Sequence, residues 1–227
     1  MKITVISLGG SLIIPDKINY SFLHKFKSTL NKFSRTHRFV VVCGGGEIAR
    51  KYISSLTKEH KTKYEISQAG IRATRMNALF MTQFFGKEAN SHLPRDMKEV
   101  KEELEKNKVV FCGALRYVPN STSDCTAAKI AHFLKTDFIN MTNTQGLYSS
   151  NPLTNKKAKF IPYENWKDFE KRALKIPYHS GQHFVLDQNA STIIRKHKIT
   201  TYIIGQKLIN LENILKSKKF TGTTISD

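Results

Sequence analysis

The sequence has 227 residues, of which 40% are hydrophobic and 10% aromatic, and no segment is of low complexity. This composition excludes a largely disordered chain and predicts a single domain over residues 1–227 with a buried core. The formal net charge of +19 favours anionic partners such as nucleotides, polyphosphates or nucleic acid.

The cysteine and histidine residues indicate the cellular compartment and whether the chain binds a metal. Cys43, Cys112 and Cys125 are widely spaced and form no CxxC pair, so we expect buried free thiols in a reducing compartment. The eight histidines show no metal-ligand spacing, and no apolar stretch reaches 18 residues. We therefore expect a cytoplasmic protein with no membrane association and no metal-binding residues of its own.

The chain begins with a predicted strand that leads into a glycine loop. Lys2–Leu8 is rich in β-favouring residues and leads into Gly9, Gly10 and Ser11. Tyr20–Ser34 then has apolar residues at helical spacing, which predicts a helix with one buried face.

A second glycine loop follows a second strand. The run Phe39–Val42 has no polar alternation, so both faces of that strand are expected to be buried, as in a parallel sheet. Gly44, Gly45 and Gly46 come next, and then a helix that contains Arg50. Glycines before a helix N-terminus are typical of a phosphate site, although a tight turn without a ligand has the same pattern.

The middle of the chain alternates in the same way. Ile66–Phe85 is predicted to be a long helix on which Arg72 and Arg75 share a face, where they either bind a phosphate or are solvated. Asp96–Asn107 reads as a helix with an ordinary solvated face. Val109–Cys112 is a third buried strand.

The remaining elements continue the alternation of strands and helices. Ser121, Thr122, Ser123 and Asp124 are candidates to cap the helix Cys125–Leu134, with capping alone as the plainer interpretation of these residues. The later predictions are strands at Asp137–Thr142 and Thr200–Gly205, helices at Trp166–Ala173, at Leu186–His197 (after Gly181) and around Leu208–Leu215, and a β-like tail at Thr223–Ile225.

This order predicts the fold class. Strand, glycine loop and helix alternate, which indicates an α/β three-layer sandwich with a mainly parallel central sheet and a ligand cleft at the carboxyl ends of the strands. The sequence contains neither GxxxxGK[ST] nor a GxGxxG after the first strand, so the P-loop and Rossmann fingerprints are absent.

Several motifs together carry a resemblance to a known family. They are the first glycine pair with Ser11, GGGEIARKY from Gly44, GIRATRMNA at Gly70–Ala78, STSD at Ser121–Asp124, TNTQGLYSSNP at Thr142–Pro152 and the closing GTTI. In this order and spacing the chain resembles the amino acid kinase superfamily, specifically its archaeal-type uridylate kinase branch. The resemblance covers nearly the whole chain.

The resemblance implies transfer of the ATP γ-phosphoryl group to UMP with Mg²⁺, usually in a homohexamer. It implies catalytic roles for Asp124 and Arg50. The residues it implies for ATP binding are Gly9, Gly10, Ser11, Gly46, Arg50, Thr142, Asn143, Tyr148 and Asn151. Those it implies for UMP binding are Gly45, Ser67, Pro119, Asn120, Ser121, Thr122 and Ser123.

Four positions depart from the family pattern. Ser7 stands where many members have lysine, and Ser67 where an acid commonly helps to hold UMP. Gln145 and Asn151 each replace an aspartate. The loop before Asp124 is also two residues longer. These departures predict a working but weak enzyme.

Other functions remain open on the sequence alone. The same fold would serve a kinase of another small phosphate or carboxylate. The lost acids favour a nucleotide-binding regulatory protein with weakened catalysis. A nucleic-acid binder is least favoured, because the lysines are spread evenly and no recognised nucleic-acid motif is present.

Overall fold

The computed structural model describes residues 1–152, 154–176 and 186–227. In this part of the chain the main sheet has seven strands in the order β3-β2-β1-β4-β8-β9-β7, and a second sheet pairs β5 with β6. The strands are β1 Lys2–Leu8, β2 His37–Cys43, β3 Val109–Cys112, β4 Phe138–Met141, β5 Leu147–Tyr148, β6 Phe160–Ile161, β7 Tyr163–Glu164, β8 Thr201–Ile204 and β9 Thr223–Ile225.

The first four strands of the sheet order and β8 are all parallel, and only β9 pairs antiparallel with β8. Helices connect the strands. They are α1 Gly10–Ile13, α2 Tyr20–Phe33, α3 Gly46–Lys58, α4 Lys63–Phe85, α5 Met97–Lys106, α6 Ser123–Phe133, α7 Trp166–Leu174, α8 Gln188–Lys196 and α9 Leu208–Leu215, with a 3₁₀ turn at Gly86–Glu88. The carboxyl ends of β1 to β4 therefore lie side by side at one edge.

Helices cover both faces of the sheet. Alternate residues of a strand point to opposite faces, so Val40 and Val42 of β2 join one buried cluster with residues of α5, α6, α7 and α8. Phe39, Val41 and Cys43 of the same strand join a second cluster with α2, α4 and α9. The predicted α/β fold with a mainly parallel sheet is confirmed, and so is the burial of both faces of β2.

Some short helices and strands were not predicted from the sequence. The short helix α1 and the two-residue strands β5, β6 and β7 have too few residues to show a period. Helix α4 begins at Lys63 rather than at Ile66, because Thr62 and Glu65 form a reciprocal capping box just before the apolar pattern starts. Gly181, which precedes the helix predicted over Leu186–His197, lies outside the described residues.

The three cysteines are buried free thiols, as predicted. Burial raises the pKa of Cys43 well above its usual value and that of Cys112 to about 12, so both thiols stay protonated. Within the described ranges, no helix is both long and apolar enough to cross a membrane.

Candidate active site

A cavity of about 760 Å³ opens at the carboxyl ends of β1 to β4, a volume typical of a small-molecule site. It brings together most of the residues that the sequence analysis singled out. The predicted residues in its lining are Gly9, Gly10, Ser11, Gly45, Gly46, Arg50, Ser67, Ser121, Thr122, Ser123, Asp124, Thr142 and Asn143.

Four predicted residues lie outside this lining. Pro119 and Asn120 form the tip of the loop before α6, and Tyr148 packs edge-on against the Phe160 ring in the small sheet, with ring centroids 5.5 Å apart. Asn151 lies in the exposed turn after β5, where its carbonyl accepts hydrogen bonds from the chain a few residues later. The places of Tyr148 and Asn151 follow from the pairing of β5 with β6, which forms a separate small sheet.

The two glycine loops pack directly against each other. A Cβ atom at Gly10 would lie 2.1 Å from the Gly46 nitrogen, and one at Gly44 would lie 2.6 Å from the Gly10 nitrogen. Gly46 also has φ +63, a conformation that L side chains rarely adopt. A Cβ at Gly45 would meet that of Ala49 at 2.5 Å. The glycine triplet is therefore required first for the contact between loops, a role that the sequence analysis did not anticipate.

The same packing leaves main-chain donors at the cavity. Helix α3 begins at Gly46, and no side-chain cap hydrogen bond satisfies its first turn within the described residues. Free N–H groups at a helix N-terminus carry a partial positive charge and bind anions well. Arg50 lies one turn further along this helix and is paired with Glu47 at 2.7 Å, so its charge is held at the cavity wall.

Helix α4 fixes both the glycine triplet and the loop after β3. Asn77 donates through Nδ2 to the Gly44 carbonyl at 2.7 Å. Thr74 Oγ1 accepts from the Ala114 nitrogen at 2.9 Å, and the Arg75 guanidinium donates to the carbonyls of Ala114 at 3.0 Å and Leu115 at 2.6 Å. Side chains of the GIRATRMNA motif therefore hold two loops in place, the glycine triplet and the loop after β3.

The two arginines of that motif are both exposed, as one of the two expected alternatives requires, but they differ in their contacts. Arg75 was expected to bind a phosphate or to be solvated, but its guanidinium is engaged by two main-chain carbonyls. Arg72 is exposed and lies outside the cavity lining. Sequence spacing placed both on one helix face, and the loop after β3, which approaches one end of that face, separates their roles.

Asp124 contacts the end of β1. Ser7 donates from Oγ to Asp124 Oδ1 at 2.6 Å, at the position where many family members have lysine. Desolvation, together with a smaller effect of the nearby Asp187, raises the pKa of Asp124 to about 7, although the Ser7 hydrogen bond lowers it. Thr122, not Asp124, caps α6, because its Oγ1 accepts from the Asp124 nitrogen. The Asp124 carboxyl is therefore not used in capping.

The sequence analysis missed two residues at the start of α8. Asp187 Oδ2 accepts from Thr122 N at 2.9 Å and from Thr122 Oγ1 at 2.7 Å, and it receives a third hydrogen bond from Cys125 N. Asn189 contacts the same loop. The sequence signal that would have found Asp187 is its position as an N-cap candidate before the apolar pattern of α8.

The residues present offer few metal ligands. Among the described residues, no group of three or more His, Cys, Asp or Glu side chains is arranged to hold a metal ion. Asp124 and Asp96 are the two carboxylates in the cavity lining, and Asp96 is used as the N-cap of α5. Mg²⁺ typically binds through one or two carboxylates together with substrate phosphates. The lining fits a metal bound in this way, because the Asp124 carboxylate is not used in capping.

Comparison with known proteins places the chain in a family. The model of the amino acid kinase family matches residues 2–205. This protein belongs to that family. Among its relatives is a protein from Thermococcus onnurineus named uridylate kinase, 31% identical over 97% of this chain and 98% of the relative. Another of that name, from Archaeoglobus fulgidus, is 32% identical over the full length of both chains.

Solved structures agree with this placement. The crystal structure of uridylate kinase from Archaeoglobus fulgidus has a TM-score of 0.84 and 31% identity, and all of both chains is covered. The structure of UMP kinase from Bacillus anthracis has a TM-score of 0.80 over 100% of this chain and 96% of that one. At 19% identity it supports the fold alone.

Proposed function

We propose that this protein transfers the γ-phosphoryl group of ATP to UMP, which yields ADP and UDP. The observation that carries this proposal is that one cavity collects both glycine loops, the start of α3 and the loop 121–124. Phosphoryl transfer depends mostly on positioning and on neutralising negative charge, and those elements supply main-chain donors and a cation. The full-length relatives named uridylate kinase support UMP as the acceptor.

ATP would bind on the β1 and β4 side of the cavity. Its phosphates would accept hydrogen bonds from the main chain around Gly9, Gly10 and Gly46, and Arg50 would offset part of their charge. Thr142 and Asn143 at the end of β4 would lie near the nucleoside. The Gly9 nitrogen donates to the Met141 carbonyl of β4 at 2.9 Å, so Gly9 fixes the loop in place and the phosphate donors would be its neighbours.

UMP would bind between α4 and the loop before α6. Gly45, Ser67, Ser121, Thr122 and Ser123 would surround it. An oxygen of its phosphate would attack the γ-phosphorus in line, forming a new P–O bond while the bond to the β-phosphate oxygen breaks. A lone pair of the UMP oxygen becomes the new bond, and the electron pair of the broken bond stays with the bridging oxygen, which leaves on ADP.

Asp124 would orient the reacting phosphates at the centre of the cavity. Mg²⁺, when bound, neutralises charge on the triphosphate, and Asp124 is the carboxylate that would hold it. Ser7 fixes one Asp124 oxygen in place but brings no positive charge to the site.

Oligomerisation follows from the resemblance to a family of hexamers. We propose that the chain, as a single domain over 1–227, forms a homohexamer in the cytoplasm. Exposed apolar side chains on α3 and α4 support an interface there, since Tyr52, Met76 and Leu79 are 58%, 65% and 38% exposed. Light scattering after gel filtration would test the assembly, and a monomeric mass would refute it.

A coupled assay of ADP formation tests the activity itself. With UMP, CMP, AMP and GMP at equal concentration, we expect ATP consumption to be fastest with UMP. UMP should also raise the melting temperature most, because preferential binding stabilises the folded state. Faster turnover with any other acceptor, or no thermal shift with any nucleotide, would refute the proposal.

The contact between Ser7 and Asp124 favours one second candidate. A site without the family lysine suits a nucleotide-binding regulatory protein in which binding persists and turnover is lost. The same experiments separate the two functions, because the regulatory protein would show thermal shifts with UMP and ATP but no ADP formation.

A further inference from the structure

The first turn of α8 binds the loop that precedes α6. Asn189 donates from Nδ2 to the Pro119 carbonyl at 3.0 Å, to the Asn120 carbonyl at 2.9 Å and to Ser121 Oγ at 2.8 Å. A single amide group therefore contacts three consecutive residues. Nothing in the proposed chemistry uses this contact directly, because Asn189 is not part of the cavity lining.

Helix α8 is a fixed platform for this contact. Asp187 is 1% exposed, and Ala190, Ser191 and Ile194 of the same helix are fully buried. Arg195, near the other end of α8, is ion-paired with Glu170 of α7. Because its own position is so well determined, α8 can impose a position on the loop.

The loop itself needs external support. Asn120 has φ +53, in the left-handed region that asparagine adopts more readily than most other residues with a side chain, and its carbonyl is one of the groups that Asn189 binds. This loop is also longer than the family pattern. Asp187 also supports this end of the loop, because it binds Thr122 one residue further along.

We propose that Asn189 is a positioning residue that fixes the loop 119–121 and thereby sets the affinity of the acceptor site for its monophosphate. This inference rests on the proposed function. Ser121 connects the two, because it accepts a hydrogen bond from Asn189 and also lines the cavity. A displaced loop would move Ser121 away from the acceptor, while Asp187 would still hold Thr122 at the start of α6.

The chemistry of the contact suggests the substitution that tests it. All three contacts need a donor, and Asn189→Asp keeps the shape of the side chain but replaces the NH₂ with an acceptor. The carboxylate would then face two carbonyl oxygens. A negative charge in the first turn of a helix is itself favourable, so the variant should fold. Thr192→Asp is the matched control, since it places the same charge on an exposed position of α8.

Two measurements test the proposal. We expect Asn189→Asp to raise the KM for UMP about tenfold, with the KM for ATP and kcat within about twofold of the wild type. Hydrogen exchange of peptides that cover residues 115–123 should also become faster. Thr192→Asp should change neither. Asn189→Ala removes the donors without adding charge and should give the same pattern with a smaller rise in KM.

Several outcomes would overturn the inference. Unchanged loop exchange and UMP affinity in both Asn189 variants would show that the contact does not position the loop. An equal loss for UMP and ATP would show a general structural effect. If the wild-type protein phosphorylates no monophosphate, the proposed function fails. Faster hydrogen exchange of the loop in Asn189→Asp would even then show that Asn189 holds the loop 119–121 in place.

Discussion

The two sides of the cleft are held in place by different means. On the β1 and β2 side, the glycine loops touch through their main chains, with no room for a Cβ atom at Gly10 or Gly44. On the side of the loop 113–123, main chains approach closely at Gly113, where a Cβ would lie 2.6 Å from the Arg75 nitrogen. The rest of that loop is bound by side chains from α4 and α8, as Arg75 and Asn189 show.

This difference has a consequence for how each side tolerates change. Contacts between main chains leave no side chain that could adjust, so a substitution must move a loop or the sheet. Contacts made by side chains can be exchanged one at a time, each for a moderate cost in free energy. We therefore expect the phosphate side to be invariant in shape and the acceptor side to be tunable.

The largest effect should come from Gly10→Ala. The added Cβ would lie 2.1 Å from the Gly46 nitrogen, and we expect a loss of more than about 4 kcal/mol in the free energy of unfolding. Gly70→Ala is the matched control. Its nearest contact is 3.4 Å from Ile53 Cδ1, and alanine should stabilise the interior of α4 by about 0.5–1 kcal/mol. Urea denaturation measures both, and equal midpoints would refute the close contact.

Asp124→Asn, at the junction of the two sides, should have the next largest effect. Loss of the carboxylate should lower kcat by about 100-fold, the usual cost of removing one group placed to stabilise charge in the transition state. The fold should persist, since asparagine keeps the shape and the Ser7 contact. Retention of more than half of the wild-type kcat would show that the carboxylate has no role in turnover.

The same variant also tests whether burial raises the pKa of Asp124. The pKa of Asp124 is raised from 3.8 to about 7, so the folded metal-free protein retains a proton that the unfolded chain releases. Its contribution to stability is full below about pH 4 and is lost as the pH rises through about 7. We expect the free energy of unfolding of the metal-free wild type to fall across this window relative to Asp124→Asn. Parallel curves for the two proteins would contradict the raised pKa.

Arg75→Lys tests whether the acceptor side is tunable. Lysine cannot reproduce the forked contact with two carbonyls, so the loop after β3 should loosen and the KM for UMP should rise about fivefold. Stability should fall by about 1 kcal/mol. Arg72→Lys on the same helix face should leave both unchanged. A larger effect from Arg72 would instead indicate that Arg72 contacts a phosphate.

The smallest effect should come from Gln145→Asp combined with Asn151→Asp. The family pattern predicts that restoring these carboxylates improves ATP binding. Both residues lie exposed outside the cavity lining, so we expect the KM for ATP to fall by no more than about threefold. A tenfold or greater fall, measured in the coupled assay, would mean that this turn closes over the nucleotide.

The sequence by itself determined the order of the main strands and glycine loops along the chain, and most of the site residues it predicted lie in the cavity lining. The uninterrupted run before Gly44 indicated a strand buried on both faces, and the glycine loops marked the carboxyl ends of β1 and β2. These signals are local, since they depend on backbone freedom and on periodicity within a few residues. The site followed because parallel strands end at the same edge of a sheet.

Only the tertiary structure decided which side chains support the site. Ser7 and Asp124 are 117 positions apart, and Asn189 contacts residues about 70 positions earlier in the chain. No local pattern encodes such pairs, because a hydrogen bond between distant residues leaves no periodicity in either segment. For the same reason Arg75 looked equivalent to Arg72 in the sequence, until the fold brought the carbonyls of Ala114 and Leu115 within reach of one and not the other.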